Sequence, residues 1–109
     1  MATITVEITE RGISYPDGQK VHRGDTVNFH TDGSIGDVTV TFNPPYCFTS
    51  SDSLTLNAAS SLTATQPETV SSSADPGKYT FTADIPEASR KKFPEWEAKQ
   101  GEVDVSPDY

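Results

Sequence analysis

Cys47, His22 and His30 are the soft and borderline metal ligands of this 109-residue chain, with Met1 as its one methionine. A single thiol cannot close an internal disulfide or supply a four-cysteine zinc site. His22 falls in the turn of "VHRGD", His30 alternates with Val27 and Phe29 and should face outward, and Cys47 lies in "NPPYCF". The three are scattered. They read as two surface histidines and a partly buried small apolar residue, with no shared metal site. Asp32, Asp37, Asp84 and Glu87 are carboxylates that could cluster and bind a hard cation. Nucleophilic catalysis needs a base within reach of a nucleophile. Ser and Thr are abundant, but neither histidine has a neighbour suited to that task. No phosphate-cradling glycine loop or metalloprotease motif is present, and nothing sets one carboxylate pair apart from the others. The expectation is a non-enzyme that uses no cofactor.

Residues suited to recognition are better represented. Arg90, Lys91, Lys92, Phe93 and Trp96 share one short segment. Arg and Trp recur among energetic hot spots, because a flat aromatic buries much area with few rotors to freeze. In "PPYCF", residues 44 to 48, two prolines stiffen a loop that presents Tyr46 and Phe48. These seven residues are the candidate partner-binding set. Each group also has a structural reading: Phe93 and Trp96, three apart, could pin their segment onto the domain, and Tyr46 and Phe48 could close the bottom of the core.

The elements that must position these residues are strands. "TITVEIT" places Ile4, Val6 and Ile8 on one face, "DTVNFHT" Val27 and Phe29, and "DVTVTF" Val38, Val40 and Phe42. "SLTLN" adds Leu54 and Leu56, "KYTFTA" adds Tyr79, Phe81 and Ala83, and "EVDV" adds Val103 and Val105. Polar residues fill the alternate positions, the signature of half-buried strands. Shorter candidates lie at 13–15, 19–21 and 68–72. Turn signals such as Pro16-Asp17-Gly18, Arg23-Gly24-Asp25 and Asp75-Pro76-Gly77 separate the runs. The spacing predicts a two-sheet antiparallel sandwich in one domain spanning residues 1–109. Leu54, Leu56, Leu62 and Val70 punctuate the Ser/Thr-rich stretch from Thr49 to Ser73, which makes it part of that domain and not a linker. Residues 86–101 break the period. Pro94 suits the first position of a helical turn, Glu95 precedes Lys99 by four, and Gly101 could end the turn in a left-handed conformation. A short helical insertion over about residues 86–100 is expected before the last strand.

A formal net charge of −8 disfavours nucleic acid, since no basic stripe exists to displace counterions from phosphates, and it disfavours an anionic membrane surface. No apolar run approaches the roughly 20 residues needed to span a bilayer. No signal peptide precedes "ATITVEI". The chain is expected to be cytoplasmic if Met1 is the native start, and periplasmic or secreted if a signal peptide has been removed. An unknown protein partner is the expected ligand, with weak homo-oligomerisation through a strand edge as a further option.

The order of motifs resembles the cupredoxins, the small blue-copper proteins. "ISYPDGQKVHRGDTVNFHTDGSIGDVTVTFNP" looks like their N-terminal half, "DPGKYTFTADIP" their penultimate strand and ligand loop, and "GEVDVSP" their closing strand. The resemblance implies an all-β, cupredoxin-like Greek-key β-sandwich of seven to eight strands. The departures fall on the copper ligands. Gly36-Asp37 stands where the family has a histidine before the ligand strand, and Ala83 or Asp84 where its cysteine ends the Tyr-x-Phe strand. The loop Ile85-Pro86-Glu87-Ala88-Ser89-Arg90 holds neither the second histidine nor a methionine. A blue-copper site needs a thiolate and two imidazoles. The resemblance therefore points to a metal-free binding module, with electron transfer or metal binding through a non-standard site as the alternative. The sandwich end formed by the Asp32–Asp37 loop and the Asp84–Gln100 insertion is the expected binding face, because loops there can vary without disturbing the core. Arg90, Lys91, Lys92 and Lys99, half of the eight basic residues, lie in that insertion.

Overall fold

The computed structural model describes residues 2–44, 46–49, 52–57 and 64–107; Leu62 and Pro45 lie outside the described residues. The described residues form nine strands and one helix: β1 (Thr3–Thr9), β2 (Gly12–Ser14), β3 (Lys20–Val21), β4 (Thr26–Thr31), β5 (Val38–Phe42), β6 (Ser53–Leu56), β7 (Ala64–Thr69), β8 (Gly77–Asp84), α1 (Glu87–Lys92) and β9 (Lys99–Val105). One sheet has the order β2-β1-β4-β7 and the other β3-β9-β8-β5-β6.

The strand count exceeds the expected seven to eight because all three short candidates pair as strands of their own, the one expected at 68–72 lying earlier, at Ala64–Thr69. The sheets are also mixed, not purely antiparallel. β1 runs parallel to β4, with Val6 opposite Phe29, and β3 runs parallel to β9, with Val21 opposite Val105. The cause lies in the connection. After β1 the chain makes the β2 hairpin, crosses to the other sheet as β3, and returns through the Arg23-Gly24-Asp25 turn to lie beside β1 in its original direction. Alternation of apolar residues fixes which face of a strand is buried, but carries no information on a neighbour's direction.

That face assignment holds in every strand of the expected core. Ile4, Val6, Ile8, Val27, Phe29, Val38, Val40, Phe42, Tyr79, Phe81, Val103 and Val105 are all buried, while Thr39 and Thr41 face outward from β5. Phe29 of one sheet meets Phe42 and Phe81 of the other at centroid distances of 5.5 and 5.3 Å, so the two inner faces form one core. Phe48 caps it, 4.8 Å from Phe42 and 5.9 Å from Phe29.

The insertion is present, but its signals sit elsewhere. The helix precedes Pro94. Pro86 opens it, with the Arg90 N–H donating to Pro86 O at 3.1 Å. Glu87 in its first turn and Arg90, Lys91 and Lys92 in its last suit the helix dipole. Pro94 instead occupies the second position of a turn closed by the Trp96 N–H on Phe93 O at 3.1 Å, where a fixed φ is an advantage. Lys99 already belongs to β9, so Glu95 and Lys99 are not a helical pair. Gly101 is a buried strand residue opposite Phe81, not a helix terminator.

Candidate partner-binding site at one end of the sandwich

Three segments meet at the expected end: the β1–β2 turn, the loop between β4 and β5, and the α1–Trp96 insertion. Trp96 joins the first and the last. Its indole is only 7% exposed and its Nε1–H donates to Thr9 O at 3.1 Å. The Glu10 N–H donates to Ser34 Oγ at 3.0 Å, which ties the β1–β2 turn to the β4–β5 loop. The Ser34 N–H donates to Asp32 Oδ1 at 2.9 Å. Hydrogen bonds from the Ser34 hydroxyl and N–H hold the Asp32 carboxyl below the ordinary aspartate value. Within the loop, Gly36 N–H closes on Gly33 O at 3.2 Å, and Ile35 between them is fully buried. Gly36 has φ 73°, which only glycine adopts without strain, so a histidine at that position would be disfavoured by the backbone itself.

The basic residues are not equivalent. Arg90 forms an ion pair with Asp84, whose Oδ1 also accepts the Ile85 N–H at 2.8 Å. Both partners are more than two-fifths exposed, so the pair anchors α1 loosely. Lys91 and Lys92 are exposed, and Phe93 is half-buried. Lys92, Phe93 and Trp96 line an open groove of about 440 Å³ together with Glu10, Arg11, Ile35, Pro94, Glu95 and Lys99.

The structure therefore divides the seven candidate residues. Arg90, Lys91, Lys92, Phe93 and Trp96 gather at one end, although Trp96 serves as a buried anchor and does not offer its ring as a free surface. Tyr46, half exposed, and Phe48, half-buried under the core, lie beyond the far end of β5. Glu10, Arg11 and Ile35 complete the groove and were not anticipated. The hairpin turn at Glu10-Arg11-Gly12 was the available signal, since it carries Arg11 past the end of β1.

Among the described residues, no three His, Cys, Asp or Glu side chains come together as metal ligands, so Asp32, Asp37, Asp84 and Glu87 do not converge. His30 Nδ1 lies 2.7 Å from Thr65 Oγ1 on the outer sheet face, and His22 Nδ1 lies 3.5 Å from Asp25 Oδ2. Cys47 is buried, and burial pushes its thiol up to about 12. Ala83 is fully buried opposite Val40. Asp37 Oδ1 and Thr31 Oγ1 are buried without a hydrogen-bond partner among the described residues. No protein-family model matches the chain, and no curated protein matches it significantly.

Proposed function

We propose that this chain is a metal-free, cupredoxin-like binding module that acts through protein–protein contacts at the sandwich end bearing the insertion. The observation that carries the reading is the convergence of Lys92, Phe93 and Trp96 with Arg11 and Lys99 on one groove. Mixed apolar and cationic surface of this kind suits recognition better than a uniformly solvated face. The Greek-key part of the reading draws support from strands that are neighbours in space but not in sequence: β4 beside β7 and β5 beside β8, both antiparallel.

The test is charge reversal of Lys91 and Lys92 to Glu, leaving the internally paired Arg90 untouched. Capture of partner protein from lysate should weaken while the melting temperature stays within about 2–4 °C, since exposed charges away from special features rarely change stability by more than about 0.5 kcal/mol. Unchanged capture would count against the face. A Cu(II) titration separates this reading from the electron-transfer alternative. The protein should stay colourless, because the Cys47 thiol is buried and held neutral. An intense charge-transfer band abolished by Cys47→Ser would overturn the metal-free reading.

A further inference from the structure

Arg11, Lys92 and Lys99 reach one groove from three different elements: the β1–β2 turn, the end of α1 and the start of β9. Among the described residues none of the three has a carboxylate within 4.0 Å, unlike Lys78, which pairs with Glu102, and Arg90, which pairs with Asp84. The groove's carboxylates, Glu10 and Glu95, are fewer than its cations, in a chain whose formal net charge is −8. Its exposed apolar surface comes from Phe93 and Pro94, with the buried Trp96 and Ile35 behind them. With Trp96 hydrogen-bonded to Thr9 and Ile35 fully buried, that surface is fixed before any ligand arrives, which lowers the ordering cost of binding.

We infer that the groove is a receptor for a short acidic peptide segment carrying one aromatic side chain. The ring packs against Phe93 and Pro94, and flanking carboxylates engage Arg11, Lys92 and Lys99. An anion without an apolar body would leave the apolar surface uncovered, and a neutral apolar ligand would leave three cations without partners. A volume of about 440 Å³, open to solvent, suits a side chain inserted from a passing strand of peptide. The inference rests on the binding-module reading above and deepens it.

Trp96 is the single tryptophan of the chain, so its emission reports on the groove. The probe is the acetylated, amidated peptide Asp-Glu-Phe-Asp-Glu, titrated into the intact protein at low salt. A saturable change in emission is expected, weakened by added salt because the contacts are exposed and screened. Arg11→Glu and Lys92→Glu should each raise the apparent Kd about tenfold, equivalent to about 1.4 kcal/mol. Three controls use Asp-Glu-Ala-Asp-Glu, the basic peptide Lys-Arg-Phe-Lys-Arg and inorganic phosphate. An equal response to any of them, or equal binding by both variants, would overturn the inference. So would emission that depends on protein concentration without peptide, together with dimer-sized light scattering, since the occupant would then be a second copy. If the peptide fails while Lys91/Lys92 reversal still weakens capture, the groove chemistry falls and the wider reading stands. If both fail, both fall.

Discussion

A Cβ on Gly101 would overlap the Phe81 ring and lie 2.7 Å from Tyr15 Oη. The Tyr15 hydroxyl accepts the Glu102 N–H at 3.1 Å, so the ring is held where the glycine leaves room for it. Neither neighbour can withdraw cheaply: Phe81 is 1% exposed and packs edge-on against Phe29. Gly101→Ala should therefore destabilise by about 1–3 kcal/mol, the usual cost of overpacking a filled core. For a domain of this size that corresponds to a loss of roughly 4–8 °C in Tm per kcal/mol. An unchanged melting curve would show that the Phe81–Tyr15 pair can rearrange.

The turn between β3 and β4 is organised by one buried carboxylate. Asp25 accepts the Ala2 N–H at 2.9 Å and the His22 N–H at 2.8 Å, which binds the start of β1 to the start of β4. Burial by itself would raise its pKa. The two N–H donors and the nearby His22 outweigh burial and place it below the ordinary value of 3.8. A depressed carboxylate stabilises the fold fully above its unfolded value and loses that contribution as pH falls through the folded one. Stability should thus drop as pH is lowered below about 3.8, and Asp25→Asn should flatten that part of a Tm–pH profile while lowering Tm at neutral pH. Equal acid sensitivity in both proteins would assign the effect to other carboxylates.

Elements also differ in how far the sequence disclosed them. β1 and β8 announced both their extent and their buried face, because their alternating apolar positions leave no competing period, whereas β7, six residues long, has no such alternation and was expected only at 68–72. β3, two residues long, carries almost no pattern, and its place beside β9 depends on contacts some 80 residues away. In the insertion two prolines were available as helix starts, and local propensity could not choose between Pro86 and Pro94. The choice was made by Trp96, whose burial and bond to Thr9 require the turn after Phe93. The groove was half legible for the same reason: its insertion side is contiguous in sequence, while Arg11 and Ile35 arrive through tertiary packing. The outer edge of β7 is also informative. Pro67 stands in it opposite Asn28, and a residue without an N–H interrupts any further ladder, which weighs against strand-edge association there.

At the scale of the whole molecule, sixteen acidic and eight basic residues cover a domain with a Cα radius of gyration of 13.6 Å. Like charges at that density repel one another and strain the compact state. Raising ionic strength from about 0.01 M to 0.15 M shortens the screening length from about 30 Å to 8 Å and should raise Tm. A fall in Tm over that range would mean that attractive pairs such as Lys78–Glu102, 3.9 Å apart, outweigh the excess negative charge.

The position of β9 within its sheet also sets an order of events. Residues 99–105 lie between β3 and β8, not at a border, and supply partners to both. Until they are available, β8 has a bare flank and β3 has no neighbour at all in that sheet. Residues 20–21 must therefore wait for residues 104–105, 84 positions further along the chain. Topologies dominated by such distant pairings assemble in milliseconds to seconds, not microseconds. During synthesis β3 and one flank of β8 stay unpaired until residues 99–105 have been made, and only then can the five-stranded sheet close.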